Sequence, residues 1–296
     1  MILVTGARGF VGRRLQTLLT QTRTDFRALE GDVRDRTAVA AQAAGASAIV
    51  HLAYRNLDRD GQGFESNVEG ARVVADVARA NRVRVIGLSS TGVYGHAAHQ
   101  DADEDTPLQP DTALSRSRAE ADRILLELDD VLVLRPRFVY GEGDRFVLPR
   151  IHAGVRRSPF WVDGGRARLS LVWVDDLAGV LLRAATTPSA ERVLHVTDGT
   201  PLAFRELANA LRAEWGGAVP HASIPSALMR PIVRSCERLF RLDPETFPLS
   251  SVRLDLVTRD QTFSTSRLRT WWPEVAFTPF VEALRRSASW YATQRG

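Results

Sequence analysis

The sequence predicts an α/β chain: a doubly wound parallel sheet followed by a small C-terminal lobe. Two observations carry that expectation and a third sharpens it. Ile2–Thr5 and residues 49–53 and 83–89 are short, almost unbroken apolar runs, the pattern of strands buried on both faces. The stretches between them change period. Within 67–80, Val68, Ala71, Val74, Ala75 and Ala78 fall on one helical face. Alternating strands and helices, joined by right-handed crossovers, lay the strands side by side with helices on both faces. The third observation is the spacing of Gly6, Gly9 and Gly12, set between the first strand and the first helix.

The elements follow in order. After the first strand, residues 11–19 carry apolar side chains at helical spacing. Gly31 follows Gly12 by 19 positions, room for a helix and one strand, so the usual two-strand content is cut short there. Strands are expected at 49–53 and 83–89, with the helix 67–80 between them. A further helix spans 112–128, capped by Asp111 or Thr112, and a strand at 131–135 closes at Pro136. Past Gly141 the texture changes. Residues 143–165 read as irregular and 169–174 as a strand. Val174-Asp175-Asp176-Leu177 opens a helix that ends near 185, and 193–196 is a strand. A helix at 201–215, Pro-broken segments to about 258 and a final helix at 279–291 complete the chain. The division expected is a dinucleotide-binding core at 1–141, a mixed region at 142–197, a lobe at 198–262, and a segment at 263–296 that packs back on the core.

Composition narrows the chemistry. All 39 basic residues are arginine, which excludes Schiff-base chemistry and a phosphate-binding loop lysine. A net charge of +4, with arginines and acids interspersed, describes a solvated surface and argues against nucleic-acid binding. The single cysteine, Cys236, excludes an internal disulfide and a multi-cysteine metal site. The six histidines show no metal-ligand spacing, so no metal is expected. No apolar stretch is long enough to span a membrane, and a cytoplasmic location is expected.

Thr5-Gly6-Ala7-Arg8-Gly9-Phe10-Val11-Gly12 is a G-x-x-G-x-x-G turn between strand and helix. Its glycines allow a tight turn and close backbone approach, so that a pyrophosphate sits on the helix N-terminus. Gly6, Arg8, Gly9, Phe10, Val11 and Gly12 are therefore candidate cofactor contacts. From here the chain resembles the extended short-chain dehydrogenase/reductases, the NAD(P)-dependent epimerase/dehydratase group, over nearly its whole length. Gly31-Asp32-Val33-Arg34-Asp35 is similar to the adenine-side motif, which implies contacts from Asp32 and Val33. His51-Leu52-Ala53-Tyr54 resembles the segment lining the ribose and pyrophosphate, implying Leu52 and Ala53. Asn67 matches a helix asparagine of the group. Ser89-Ser90-Thr91-Gly92-Val93-Tyr94-Gly95 resembles the motif whose catalytic serine falls on Ser90. Arg135-Pro136-Arg137-Phe138-Val139-Tyr140-Gly141 resembles the segment closing over the nicotinamide, implying Pro136, Phe138 and Val139. Val174-Asp175-Asp176-Leu177 and Trp290-Tyr291 also fit. The resemblance implies a Rossmann-type core with a small C-terminal substrate-binding lobe.

One helix departs from the pattern. The group carries Tyr-x-x-x-Lys, whose spacing puts both side chains on one face: the tyrosine passes a proton and the lysine steadies it and holds the ribose. Here the helix reads Leu114-Ser115-Arg116-Ser117-Arg118, with Leu114 placed 24 positions after Ser90. Leucine has no proton to give. Arg118 is able to hold a ribose hydroxyl but stays charged. Two accounts stay open. In one, the chain is an NAD(P)H-dependent ketoreductase in which Ser90, helped by Thr91 or Ser115, polarises the carbonyl, with Tyr94 as a further donor. The departure suits an aromatic polyketide of angucyclinone type, whose phenol beside the ketone supplies the proton during antibiotic biosynthesis. In the other, the chain binds a dinucleotide without catalysis, as a regulatory or scaffold protein; a sugar-nucleotide epimerase or dehydratase is a third reading.

NADPH is the expected cofactor and NADH the alternative. Arg8, Arg27 and Arg34 suit a 2′-phosphate, whereas Asp25 is a possible ribose-binding acid. His96 and His99 are expected on an exposed loop past Ser90. Phe160, Trp161, Trp173, Phe204, Leu228, Met229 and Phe240 are candidates for an apolar cleft. A monomer or a homodimer is expected, the dimer through the helices at 67–80 and 112–128.

Overall fold

The structure, a computed structural model, describes residues 1–56, 64–240 and 250–293. In chain order the first half runs β1 (Ile2–Thr5), α1 (Phe10–Gln21), β2 (Phe26–Ala28), α2 (Arg36–Ala43), β3 (Ala48–His51), α3 (Glu65–Asn81), β4 (Arg84–Leu88), a 3-10 turn at Thr91–Tyr94, β5 (His99–Ala102), α4 (Ala113–Leu125), β6 (Val131–Pro136) and β7 (Val139–Tyr140). The second half runs α5 (Leu148–Arg157), β8 (Phe160–Val162), β9 (Arg168–Leu169), β10 (Val172–Trp173), α6 (Val174–Thr186), β11 (Val193–Val196), β12 (Leu202–Ala203), α7 (Phe204–Trp215), β13 (Ala222–Ile224), α8 (Ser226–Leu239), α9 (Ser251–Thr258), β14 (Gln261–Phe263), α10 (Ser266–Trp271), α11 (Phe280–Arg286) and α12 (Ala288–Thr293).

Six strands form one parallel sheet in the order β11-β6-β4-β3-β1-β2. The apolar runs are unbroken because alternate side chains feed two separate cores. Ile2, Val4, Val50, Ile86, Leu132 and Leu134 pack under α1 and α6, against Leu15, Leu19, Leu177 and Leu181. Leu3, Ile49, Val85, Val131 and Val133 face α2, α3 and α4, where Val39, Val74, Ala78 and Leu125 meet them. Each fully buried leucine or isoleucine contributes about 2 kcal/mol. The chain winds to one side of β1 for β2 and to the other side for β3, so the crevice for a ligand opens at the carboxyl ends of β1 and β3. Only β2 lies between Gly12 and Gly31, as the short spacing required, and it forms the border of the sheet.

Four expectations need correction in the second half. Residues 143–165 are not irregular: Asp144 accepts from the N–H groups of Phe146, Val147 and Leu148 and so starts α5. The strand expected at 169–174 is two short pieces, β9 and β10, because β9 leaves to pair with β12 and β14 while β10 pairs with β7. The Pro-broken region holds a 14-residue helix, α8, with Pro231 inside it. The helix runs through Pro231 with one backbone hydrogen bond forgone, and Val233 is its buried residue. The expected final helix is divided into α11 and α12 at Ser287, whose hydroxyl turns back to the Ala283 carbonyl and accepts from the Trp173 indole at 3.1 Å. The lobe expected at 198–262 includes 241–249, which lie outside the described residues.

Tyr291 ties the end of the chain to the core. Its hydroxyl donates to Asp144 at 3.1 Å and accepts from the Gly141 N–H at 2.9 Å. On α6, Asp175 holds Arg14 of α1 at 2.5 Å, and Asp176 accepts from the Thr278 N–H at 2.7 Å. Both acids of the Val174-Asp175-Asp176-Leu177 motif are therefore links between elements. Among the described residues, no helix is long and apolar enough to cross a membrane.

Candidate active site

The glycine turn closes over the crevice. Gly6 has φ +66, and a Cβ there would meet the Leu52 backbone at 2.5 Å, so β1 and β3 approach closely only with glycine. A Cβ on Gly12 would meet the Gly6 carbonyl oxygen at 2.3 Å, which lets α1 start directly on the turn. Gly9 is the N-cap residue of α1. The N–H groups of Phe10 and Val11 make no hydrogen bond among the described residues. Free first-turn donors at the positive end of a helix are the chemistry that a pyrophosphate needs. Thr5 holds the neighbouring strand end: its hydroxyl accepts from the N–H groups of Leu52 and Ala53 at 3.2 and 3.3 Å. It also bonds His51 Nδ1 at 2.8 Å. Burial pushes His51 down to about 3, with Arg118 adding to the shift, so His51 is a neutral structural group. The residues present fit a dinucleotide.

The adenine side is more exposed. Asp32 and Arg34 pair with each other at 2.6 Å, and the Arg34 bond holds the Asp32 carboxyl below its usual range. Val33 is half-buried against the α3 layer. Arg27 donates to the Gln42 carbonyl of α2 at 3.2 Å. Arg8 is exposed on the glycine turn. The acid considered at Asp25 is misplaced: the Asp25 carbonyl accepts from the Ile2 N–H, at the amino ends of the strands and opposite the crevice. The crevice end of β2 is Ala28, followed by Leu29, whose N–H donates to the Val4 carbonyl, in keeping with the short spacing that made Asp25 a doubtful ribose acid.

At the carboxyl end of β4 the serine motif splits in two directions. Ser90 is half-buried and extended, and its Oγ accepts from the Gly92 N–H at 3.1 Å. Its own O–H has no acceptor among the described residues, which leaves that proton for a substrate carbonyl. Ser89, Thr91 and Tyr94 turn inward. Ser89 donates to Asp122 at 2.8 Å, and Asp122 accepts from Arg135 Nε at 3.1 Å. Arg135 Nη1 donates to the Tyr94 hydroxyl at 2.8 Å. The Tyr94 hydroxyl in turn lies 2.7 Å from His195 Nε2. His195 Nδ1 faces the Ser264 carbonyl at 3.2 Å, which requires the proton on Nδ1 and makes Tyr94 the donor to Nε2. Burial raises the Tyr94 phenol. Thr91 is fully buried and its hydroxyl has no partner. Neither hydroxyl faces the crevice.

The helix that departs from the family pattern begins on a capping box. Thr112 Oγ1 accepts from the Ser115 N–H at 3.1 Å, and Ser115 Oγ accepts from the Thr112 N–H at 2.9 Å. Ser115 is therefore spent on the cap. Leu114 is half-buried in the first turn. One turn on, Arg118 is buried; Nη1 donates to the Leu88 carbonyl at 3.3 Å and Nη2 to Asn56 Oδ1 at 2.6 Å. Its guanidinium lies 4.7 Å from the Tyr54 ring centroid, and burial lowers its pKa. Asn67 braces this corner, accepting from the Arg55 N–H at 2.7 Å and donating to Ser117 Oγ at 3.1 Å. Asn56 and Tyr54 were missed as partners of Arg118 because no periodic signal marks a loop.

Pro136 ends β6 and Phe138 and Val139 follow it, next to the carboxyl end of β4 that leads into Ser90. Phe138 has φ +36, a strained conformation for a non-glycine residue at the rim of a site. His96 pairs with Asp111 at 2.8 Å. His99 is not an exposed loop residue: it lies buried on β5, its Nε2 facing the Gly95 carbonyl at 3.3 Å. The apolar cleft is not assembled as expected. Trp161 and Phe204 pack on each other at 6.1 Å, Trp173 is buried, and Leu228 and Phe240 are exposed.

The profile of the NAD dependent epimerase/dehydratase family matches residues 2–196. A ketoreductase of Stigmatella aurantiaca, acting on 4-hydroxy-2-methyl-3-oxo-4-farnesyl-3,4-dihydroquinoline-1-oxide, is 27% identical, over 90% of this chain and 89% of its own. A 2-alkyl-3-oxoalkanoate reductase of Stenotrophomonas maltophilia (strain K279a) is 29% identical, over 81% and 83%. Among solved structures, MoeE5 in complex with UDP-glucose and NAD aligns with a TM-score of 0.76 at 21% identity, covering 100% of this chain and 99% of that one. The glycine cradle, the serine at the end of β4 and the family match agree: the chain belongs to the NAD dependent epimerase/dehydratase family and is an NAD(P)-dependent oxidoreductase.

Proposed function

We propose that the chain is a ketoreductase, reducing a ketone of an aromatic polyketide of angucyclinone type to a secondary alcohol in antibiotic biosynthesis, without the Tyr–Lys pair. The observation that carries this reading is Ser90. Its proton is uncommitted at the mouth of the crevice, while Thr91, Tyr94 and Ser115 have their hydroxyls turned inward or spent on a cap. A dinucleotide-binding remnant has no use for such a donor. The nicotinamide, when bound, supplies a hydride. Gly6, Gly9, Phe10, Val11 and Gly12 would hold the pyrophosphate, Leu52 and Ala53 would line the ribose, and Asp32 and Val33 would serve the adenine side. Arg118, anchored on Leu88 and Asn56, stands where the family lysine holds the nicotinamide ribose. Pro136, Phe138 and Val139 would close over the nicotinamide, and Ser90 would donate a hydrogen bond to the substrate carbonyl. Leu114 offers no proton, so a substrate hydroxyl beside the ketone is the source. The Stigmatella aurantiaca relative bears on the substrate class, since its name places the reacting oxo group on a fused ring.

NADPH is the cofactor favoured by charge. Arg34 neutralises Asp32 at 2.6 Å, and Arg8 stands free on the glycine turn. The deciding experiment incubates purified protein with NADPH or NADH and a panel of polycyclic aromatic ketones, following absorbance loss and product mass. Alcohol formation is expected. Cofactor binding with no turnover across the panel would instead make the chain a catalytically inactive dinucleotide-binding protein.

A further inference from the structure

Two arginines leave β6 in sequence, and the structure treats them oppositely. Arg135 is matched at both ends, by Asp122 at 3.1 Å and Tyr94 at 2.8 Å. Arg137 has no hydrogen-bonded match among the described residues. It is 6% exposed, its buried Nε and Nη2 have no hydrogen-bond partner, and it forms no hydrogen bond or ion pair with any described residue. Its neighbours are aromatic: the guanidinium carbon lies 4.1 Å from the Phe138 ring centroid and 5.9 Å from that of Phe263. Asp111 acts on it through space, but both Asp111 carboxylate oxygens are engaged by the backbone and ring of His96. Burial pulls the Arg137 pKa down to about 10, so the group remains a cation at neutral pH. A buried cation with no hydrogen-bonded counter-charge is costly, and the strained Phe138 backbone beside it adds to that cost. Strain and unpaired charge held together at one rim are the marks of a ligand site.

The sheet puts that cation at the reacting end. Leu88 pairs with Leu134, and the Ser89 N–H donates to the Leu134 carbonyl at 2.8 Å. Following both strands outward sets Ser90 beside Pro136, with Arg137 the next residue along the rim, at a strand separation of about 4.8 Å. We propose that Arg137 anchors an oxyanion pocket in the substrate site, facing a phenolic or enolic hydroxyl next to the ketone presented to Ser90 and holding the anion that this hydroxyl becomes when it passes its proton to the alkoxide formed by hydride addition. The proposal rests on the ketoreductase reading above and narrows its substrate class to ketones with a neighbouring acidic hydroxyl. The Phe138 and Phe263 rings suit a flat ring carrying that oxygen better than a tetrahedral phosphate.

The test uses 1-hydroxyanthraquinone and its methyl ether as probes, titrated into the NADP⁺-loaded protein and followed by visible absorbance. The hydroxyl probe should bind at least tenfold more tightly than the ether. It should also show phenolate absorption at a pH where the free probe is neutral. Arg137→Met should abolish both effects and Arg137→Lys should retain part of them, with NADP⁺ affinity unchanged in each as evidence of folding. Equal binding of the two probes, or an unchanged preference in Arg137→Met, overturns the proposal. Phenolate binding that depends on Arg137, with no reduction of any ketone in the panel, keeps the pocket and removes the ketoreductase reading.

Discussion

Single side chains decide what this site does and how it responds to pH. Leu114 occupies the place of an acid, half-buried in the first turn of α4, and the proton is assigned to the substrate instead. Leu114→Tyr is therefore expected to leave the rate on the natural substrate unchanged; a gain of orders of magnitude would show that the site still depends on a tyrosine. His195 gives a pH prediction. Burial and nearby Arg135 push it down to about 4, whereas an unfolded chain protonates its histidines near pH 6.5. Between those values the unfolded state binds the extra proton, so stability falls as the pH drops from about 6.5 to 4. The loss between pH 7 and 5 is about 2 kcal/mol. Asp198, pushed up to about 6 by burial, works in the other direction, because its folded-state proton favours the lower pH. The difference between wild type and His195→Asn isolates the histidine: urea unfolding at pH 7 and 5 should show that difference narrowing at the lower pH.

Elements show where the sequence was readable. β1, β3, β4 and β6 were legible because burial on both faces leaves no other pattern, and α1, α3, α4 and α6 because each carries one apolar face. Thr112 was legible as a cap by residue type. Thr112→Ala should cost about 1 kcal/mol and weaken cofactor binding as well, since the same first turn sets the start of the helix that carries Arg118; chemical denaturation and a cofactor titration measure the two effects. The region after Gly141 was harder. α5 starts on a carboxylate four positions before its first residue, Leu148, and β9 and β10 are too short to have a period. The site was legible as far as its motifs, which placed Ser90 and the glycine turn. The motifs did not show that Tyr94 and Ser115 are committed elsewhere. They also did not show that Arg137 lacks a partner, because pairing is a property of the fold. Two arginines flanking a proline at a strand end were the available signal.

For the molecule as a whole, charge distribution bears on cofactor choice. A net charge of +4 gives no strong field, so discrimination has to be local, and Arg8 is the cation at the turn that no acid among the described residues holds. NADPH should bind more tightly than NADH, and Arg8→Ala should reduce that preference by about tenfold, read by fluorescence titration with each cofactor; a tenfold preference for NADH in the wild type would refute the assignment. The missing strand has an effect of another kind. With β2 as its border, the sheet ends in three residues, and Arg27 stands exposed in the middle of them. Long, flat, uncharged borders recruit other chains during folding, and natural sheets blunt them with short strands and charges. A truncation that first shows as too little sequence between two glycines thus also shields the nascent protein from aggregating through that side.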